Sequence, residues 1–203
     1  LANKDAIFNA DGNSQLTGNN NVLGQTMPFS GEYGISKNPE SFAAYGNDQF
    51  FSDRIRGAVL KLTPANGQII EISKSGMRDF FRDRLPSATN ILGSFDIHSN
   101  KYILTIKGYN ATLGDIDVIN TIDTELDQPS ANMTLGYYAN GQTQGWTSRY
   151  SFIPDSGVSV DGKYYTFKDG EMWQHHTNET RNNFYGAQYD SSITTILNDD
   201  PGS

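Results

Sequence analysis

Between residues 49 and 72 the apolar positions recur with the two-residue period of strands and stop at turn residues. Gln49 to Ser52 is a short run, "DRIRG" turns the chain, and residues 58 to 63 set Val59, Lys61 and Thr63 against Leu60 and Leu62. "PANG" then turns it again and Ile69 to Ile72 closes the set. Three antiparallel strands over so short a stretch form a meander, and a meander with an uncovered apolar face does not stand alone in water. A neighbouring layer is therefore required.

The period then changes. In "SKSGMRDFFRDRLP", Met77, Phe80, Phe81 and Leu85 fall at i, i+3, i+4 and i+8, with Arg78, Arg82 and Arg84 outside the stripe and Pro86 ending it. This predicts one short helix over Gly76 to Leu85, its apolar side filling a gap beside the meander. Upstream, Asn38 before Pro39 predicts a single helical turn through Phe42. Strands return as a hairpin of "NILGSFDI" and "NKYILTIKGY" joined at His98, Ser99 and Asn100, and again in "MTLGYY" and "GWTSRYSFIP". In "GVSVDGKYYTFKDGEMWQHHT" the pairs Asp161-Gly162 and Asp169-Gly170 are two hairpin turns eight residues apart. A last strand is expected around Ile193 to Leu197, and residues 110 to 132 read as an acidic loop or irregular strand.

Three strand starts, "NDQFFSD", "SNKYILT" and "DGKYYTF", place an aromatic at Phe50, Tyr102 and Tyr164, at intervals of 52 and 62 residues. This is close to the ~40 to 50 residues of a four-stranded propeller blade with insertions. The expected fold is mostly β: antiparallel meanders resembling incomplete β-propeller blades, with one short helix. Residues 1–33, rich in Asn, Gly, Gln and Ser, read as an extended arm or loop, and residues 34–203 as the blade-like domain. The opening "LANKDAIFNADGNS" lacks both a starting Met and the regions of a signal peptide, as expected of an internal piece of a longer protein or a processed product.

Composition narrows the chemistry. A formal charge of −8 disfavours a sequence-independent grip on nucleic acid or anionic lipid, and no apolar run reaches the ~20 residues that span a bilayer. Zero Cys removes disulfides, thiolate catalysis and Cys-based zinc sites. The histidines are His98 in a turn and the adjacent His175 and His176, which as strand neighbours point to opposite faces and so do not chelate one metal together. No nucleophile elbow or phosphate loop occurs. Carboxylates crowd Asp115, Asp117, Asp123, Glu125 and Asp127 without EF-hand spacing, and Glu171 stands near Trp173 and Tyr164. A glycosidase needs two facing carboxyls, which spacing does not establish. Trp146 and Trp173 are either core residues or sugar platforms. No catalytic, cofactor-binding or metal-ligating residue is assigned, and no enzyme activity is expected.

The segments "YGISKNPESFAAYG", "FFSDRIRGAVLKLT", "EISKSGMRDFFRDRL", "GWTSRYSFIPDSGVSVDGKYYTFKDGEMWQHH" and "RNNFYGAQYDSSITTILNDDP" resemble stretches of tail or neck structural proteins of tailed bacteriophage virions, of the crAss-like and related marine phages. The resemblance covers roughly 34 to 85 and 145 to 201; residues 1 to 33 and 107 to 140 fall outside it, and the phage proteins are several times longer. It implies a muzzle- or nozzle-like virion subunit, assembled in the bacterial host cytoplasm, whose blades form part of a ring at the portal exit or tail tip. Its partners would be other virion subunits in a homo-oligomeric ring, with no membrane, no specific nucleic acid and no cofactor. The expected edge strands and the arm would pair with neighbours, and Arg78, Arg82 and Arg84 would face the acids of 115 to 127. The alternative is a carbohydrate-binding or glycan-degrading β domain of a receptor-binding tail protein.

Overall fold

The computed structural model describes residues 7–8, 14–15, 31–63, 68–110, 130–139 and 144–193. The chain divides into two compact units, residues 1–31 and 32–203. In the first, β1 (Ile7–Phe8) pairs antiparallel with β2 (Ser14–Gln15). The rest of the expected arm up to residue 30 lies outside the described residues.

The second unit is mostly β, with four antiparallel sheets and a single short α-helix among the described residues. Sheet I is a four-stranded meander of β3 (Ala43–Tyr45), β4 (Asp48–Asp53), β5 (Ala58–Thr63) and β6 (Gln68–Glu71). The sequence pattern anticipated its last three strands. It missed β3 because three residues are too few to display a period. The helical turn at Pro39–Ser41 precedes β3 as expected, but Asn38 does not cap it: its Nδ2 donates instead to the Ile91 carbonyl at 2.8 Å. Asp53 organises the "DRIRG" turn, accepting from the Arg56 backbone N–H at 3.1 Å and, through its other oxygen, from that of Gly34 at 3.1 Å.

Sheet II is a second meander in which β7 (Asn90–Asp96), β8 (Lys101–Asn110), β9 (Ser130–Tyr138) and β10 (Gly145–Tyr150) lie side by side in chain order. Sheet III comprises β11 (Ser156–Val160), β12 (Lys163–Lys168) and β13 (Glu171–Gln174), joined at the two Asp-Gly turns. In each pair both residues have positive φ, between +51° and +82°, the geometry of a two-residue hairpin loop. A small hairpin, β14 (Asn183–Phe184) with β15 (Ala187–Gln188), follows. Of the last strand expected, all but Ile193 lies outside the described residues.

The helix α1 (Arg78–Arg84) forms where the stripe placed it. Phe81 and Leu85 are fully buried, with Met77 and Phe80 against the same core. Phe81 meets the Trp146 ring at 4.6 Å, and the Trp146 indole N–H donates to the Ile72 carbonyl at 3.1 Å, so the helix closes the gap between sheets I and II.

The three aromatics at loose intervals occupy the same place in their sheets. Phe50, Tyr102 and Tyr164 all sit on the second strand and all are buried. Phe50 stacks on Tyr102 at 5.1 Å, and Tyr45 stacks on Phe95 at 4.3 Å, which joins the facing sides of sheets I and II. Tyr102 Oη donates to the Ser41 carbonyl at the mouth of sheet I at 2.6 Å, and Tyr164 Oη shares a 2.8 Å hydrogen bond with Ser94 Oγ of sheet II. Each tyrosine crosses a glycine on the first strand of its own sheet. A Cβ on Gly93 would stand 1.9 Å from the Ser41 carbonyl oxygen and 2.8 Å from Tyr102 Oη; one on Gly157 would stand 2.8 Å from Ser94 Oγ and 2.9 Å from Tyr164 Oη. Burial raises the pKa of both phenols well above the ordinary value, so both hydroxyls stay protonated.

Sheet II is thus covered on both faces. Its Tyr102 side meets sheet I, and its Ile103 side meets sheet III through Phe152 and Tyr164. Ser159 adds a backbone-directed link, accepting from Ile97 N–H at 3.2 Å and donating to the Phe95 carbonyl at 2.6 Å. The outer side of sheet I, with Phe51, Leu60 and Leu62, is lined by Tyr33, Ile35 and Ile69. Tyr102→Phe should cost about 1–2 kcal/mol, the loss of a buried hydrogen bond. Gly93→Ala, which drives a methyl into backbone, should cost more than about 3 kcal/mol. Denaturant unfolding of the two variants checks the order, and equal costs would show that the close approach at Gly93 does not matter.

Candidate functional site

Sheet III ends at Gln174, and the two histidines after it part company. His175 N–H still donates to the Tyr164 carbonyl at 2.9 Å, continuing the ladder. His176 takes a left-handed backbone, φ +61°, uncommon for a residue other than glycine, and its ring lies 6.3 Å from that of His175. The expectation that the two face opposite ways as strand neighbours is not met: both lie beyond β13, and both line the same depressions described below.

His175 lies within 4.7 Å of the Phe152 ring and 5.1 Å of Tyr164. Its Nε2 is hydrogen-bonded to Thr166 Oγ1 at 2.7 Å, and that hydroxyl also bonds Tyr185 Oη at 2.8 Å. Burial first, and then the neighbouring His176, pull the His175 pKa down to about 4, Asp96 opposing them. At neutral pH His175 is an uncharged packing residue. Burial likewise pushes the Tyr185 phenol up to about 12.

His176 pairs with Asp96 at the end of β7, Nε2 to Oδ2 at 2.8 Å, and its ring stacks on that of His98 at 4.2 Å and 16°. Asp96 is buried yet fully engaged: Oδ1 accepts from the backbone N–H of His98 at 3.0 Å and of Ser99, and Oδ2 accepts from Ser99 Oγ at 2.6 Å. Burial opposes its ionisation, but the hydrogen bonds from His176 and Ser99 outweigh it and hold the carboxyl below the ordinary range. This turn is an Asx turn, which the spacing of Asp96, His98 and Ser99 encodes locally. That its second acceptor site would meet a histidine 80 residues later is not encoded locally.

The hairpin of β14 and β15 folds over this region. Phe184 packs on Phe152 at 5.0 Å and Tyr185 meets Trp173 edge-on at 5.5 Å. Two depressions result, of about 340 Å³ and 220 Å³. They share a wall made by His175, His176, Asn178, Asn183 and Phe184; the larger is bounded by Tyr150, Phe152 and Asp96, the smaller by Trp173 and Tyr185.

An imidazole held by a buried carboxylate is half of a nucleophilic triad. The hydroxyl in this network, Ser99 Oγ, bonds Asp96 rather than His176, so the nucleophile's half is not assembled there. Asp96 is the sole carboxylate lining the depressions, and Glu171 stands exposed on β13 and lines neither, so the facing carboxyls of a glycosidase are not brought together. Among the described residues no group of three or more His, Asp or Glu is placed to hold a metal ion, and no helix is long and apolar enough to cross a membrane. The two tryptophans divide: Trp146 belongs to the core beside Tyr137 and Phe81, and Trp173 borders the cleft. The acidic stretch 115 to 127 lies outside the described residues. Of the cations expected to face it, Arg82 pairs with Asp79 at 2.6 Å and Asp83 at 2.9 Å on its own helix, and Arg84 lies over the Phe80 ring at 4.0 Å.

Comparison with protein-family models and with curated proteins finds no match for the chain.

The His175 shift has a sign that can be checked. A folded-state pKa of about 4, below the ordinary histidine value of 6.5, means that the unfolded chain takes up the proton first. Its contribution is complete above pH ~6.5 and is lost as pH falls toward ~4. Asp96, also held low, loses its contribution in the same direction at still lower pH. The His175 part amounts to about 2 kcal/mol once its partial exposure is allowed for. Denaturant unfolding at pH 7.5 and 4.5 should show this loss, and His175→Gln should remove most of it; an unchanged slope in the variant would assign the acid sensitivity elsewhere.

Proposed function

We propose that the chain is a structural subunit of a tailed-bacteriophage virion, part of a homo-oligomeric ring at the tail or neck, acting through contacts between copies rather than through chemistry. The observation that carries this reading is the outer face of sheet III. There Val158 is 42%, Val160 55%, Phe167 36% and Met172 64% exposed. The registers Val158↔Tyr165, Ser156↔Phe167, Phe167↔Met172 and Val160↔Lys163 put these residues on one side of the sheet, with Lys163 the only charged side chain among them. An apolar sheet face almost without charge has the composition of the buried centre of an obligate interface.

The occupant that suits it is a second copy of this chain. Sheets I, II and III already pack face against face, and sheet III is the layer whose outer side is left open, so a neighbouring copy continues the same stacking. A contact between different faces of successive copies closes into a ring when the rotation allows. The resemblance of residues 34 to 85 and 145 to 201 to phage tail and neck proteins supports the placement in a virion.

Sedimentation of the chain at micromolar concentration should give a species several times 22.4 kDa, and the double substitution Val160→Lys, Met172→Lys should return it to 22.4 kDa with its circular dichroism unchanged. A wild-type chain that sediments at 22.4 kDa would refute self-assembly through this face. Detection of the protein at a fixed copy number in purified particles tests the virion assignment separately.

A further inference from the structure

The two depressions under the β14–β15 hairpin lie on the other side of sheet III from the proposed assembly face, because Trp173 and Thr166 alternate with Met172 and Phe167 along their strands. What they could accept is therefore a separate question. We propose that they form one two-lobed groove that binds a neutral saccharide of about two rings.

Three features point to this class. The first is the pairing of aromatic surface with hydrogen-bonding groups. Trp173 and Tyr185 border one lobe, Tyr150 and Phe152 the other, and Phe184 belongs to both. The wall between the lobes carries Asn178, Asn183 and His176, whose amides and imidazole both donate and accept. A sugar presents the matching combination: apolar C–H faces across the ring and hydroxyls, each donor and acceptor, around its rim. The second is charge. The one carboxylate of the lining, Asp96, is spent on His176, Ser99 and the His98 backbone, so it neither repels nor attracts a ligand strongly. Arg181 is the one permanent cation in the lining, which is too little to hold a polyanion. The third is size: lobes of about 340 and 220 Å³ sit at the small end of ligand sites, enough for a ring each and not for a long chain.

His176 is fixed in orientation by the buried Asp96 and by stacking on His98, and Phe184 by Phe152, so the wall is formed before any ligand arrives. Preformed walls reduce the ordering cost of binding.

The chain contains two tryptophans, one at the groove and one in the core, and this supplies the test. The full chain, labelled with nitrogen-15, is titrated with free glucose, galactose, mannose, N-acetylglucosamine, maltose, lactose and chitobiose while the two indole N–H signals are followed. The expected result is a saturable shift of the Trp173 signal by at least one disaccharide with the Trp146 signal unmoved, and at least a tenfold weaker binding after Phe184→Ala. The proposal is overturned if none of these sugars moves Trp173, if both indoles move alike, or if Phe184→Ala binds as the wild type does. The indole comparison uses the unmodified chain, so a hairpin loosened by Phe184→Ala does not decide the matter. An oligomer that binds no sugar, or a monomer that does, separates this proposal from the one concerning assembly.

Discussion

The architecture depends on two tyrosine hydroxyls that each span the space between neighbouring sheets. Tyr102 reaches the Ser41 carbonyl of the helical turn that leads into sheet I, and Tyr164 reaches Ser94 in sheet II. Meander faces are apolar and could slide over one another with little change in buried area, since burial is non-directional. A buried hydroxyl that has one partner cannot slide, because leaving it unpaired costs about 1–3 kcal/mol. The glycines at 93 and 157 make the geometry possible by letting the ring and the neighbouring sheet occupy the volume of a side chain.

From these two locks the rest of the second unit follows. Sheet II becomes the central layer, its Tyr102 side sealed by sheet I and helix α1 and its Ile103 side by sheet III. The two outer layers are finished differently. Sheet I is lined by Tyr33 and Ile35, whereas sheet III turns Val160 and Met172 outward. That asymmetry leaves sheet III as the layer with an exposed apolar side.

A polar network stands where the C-terminal part of the unit returns to sheet II. Asp96 ties the β7–β8 turn to His176, and Thr166 links His175 to Tyr185. Such networks hold only when every member is satisfied. Here they fix the angle between sheet III and the last hairpin, and so also shape the groove between them. The same polar character makes acid sensitivity expected at this junction, because a neutral, largely buried imidazole and an ionised buried carboxylate both resist protonation.

The sequence by itself determined the mostly β class, the position of α1, the Asp-Gly hairpins and the equivalence of Phe50, Tyr102 and Tyr164, because period, turn chemistry and strand aromatics are local properties of the chain. It did not reveal β3, whose three residues hold no period and which forms because β4 offers an edge. It did not reveal that Gly93 and Gly157 are points of contact between sheets, since a glycine in a strand reads only as a weak spot until another layer lies against it. His98, His175 and His176 were legible as three histidines near strand ends. Only the tertiary structure stacked His98 on His176, gave His176 to Asp96, and buried His175 among Phe152, Tyr164 and Thr166. Pairings across 80 residues depend on how whole sheets pack, and no window along the chain contains both partners.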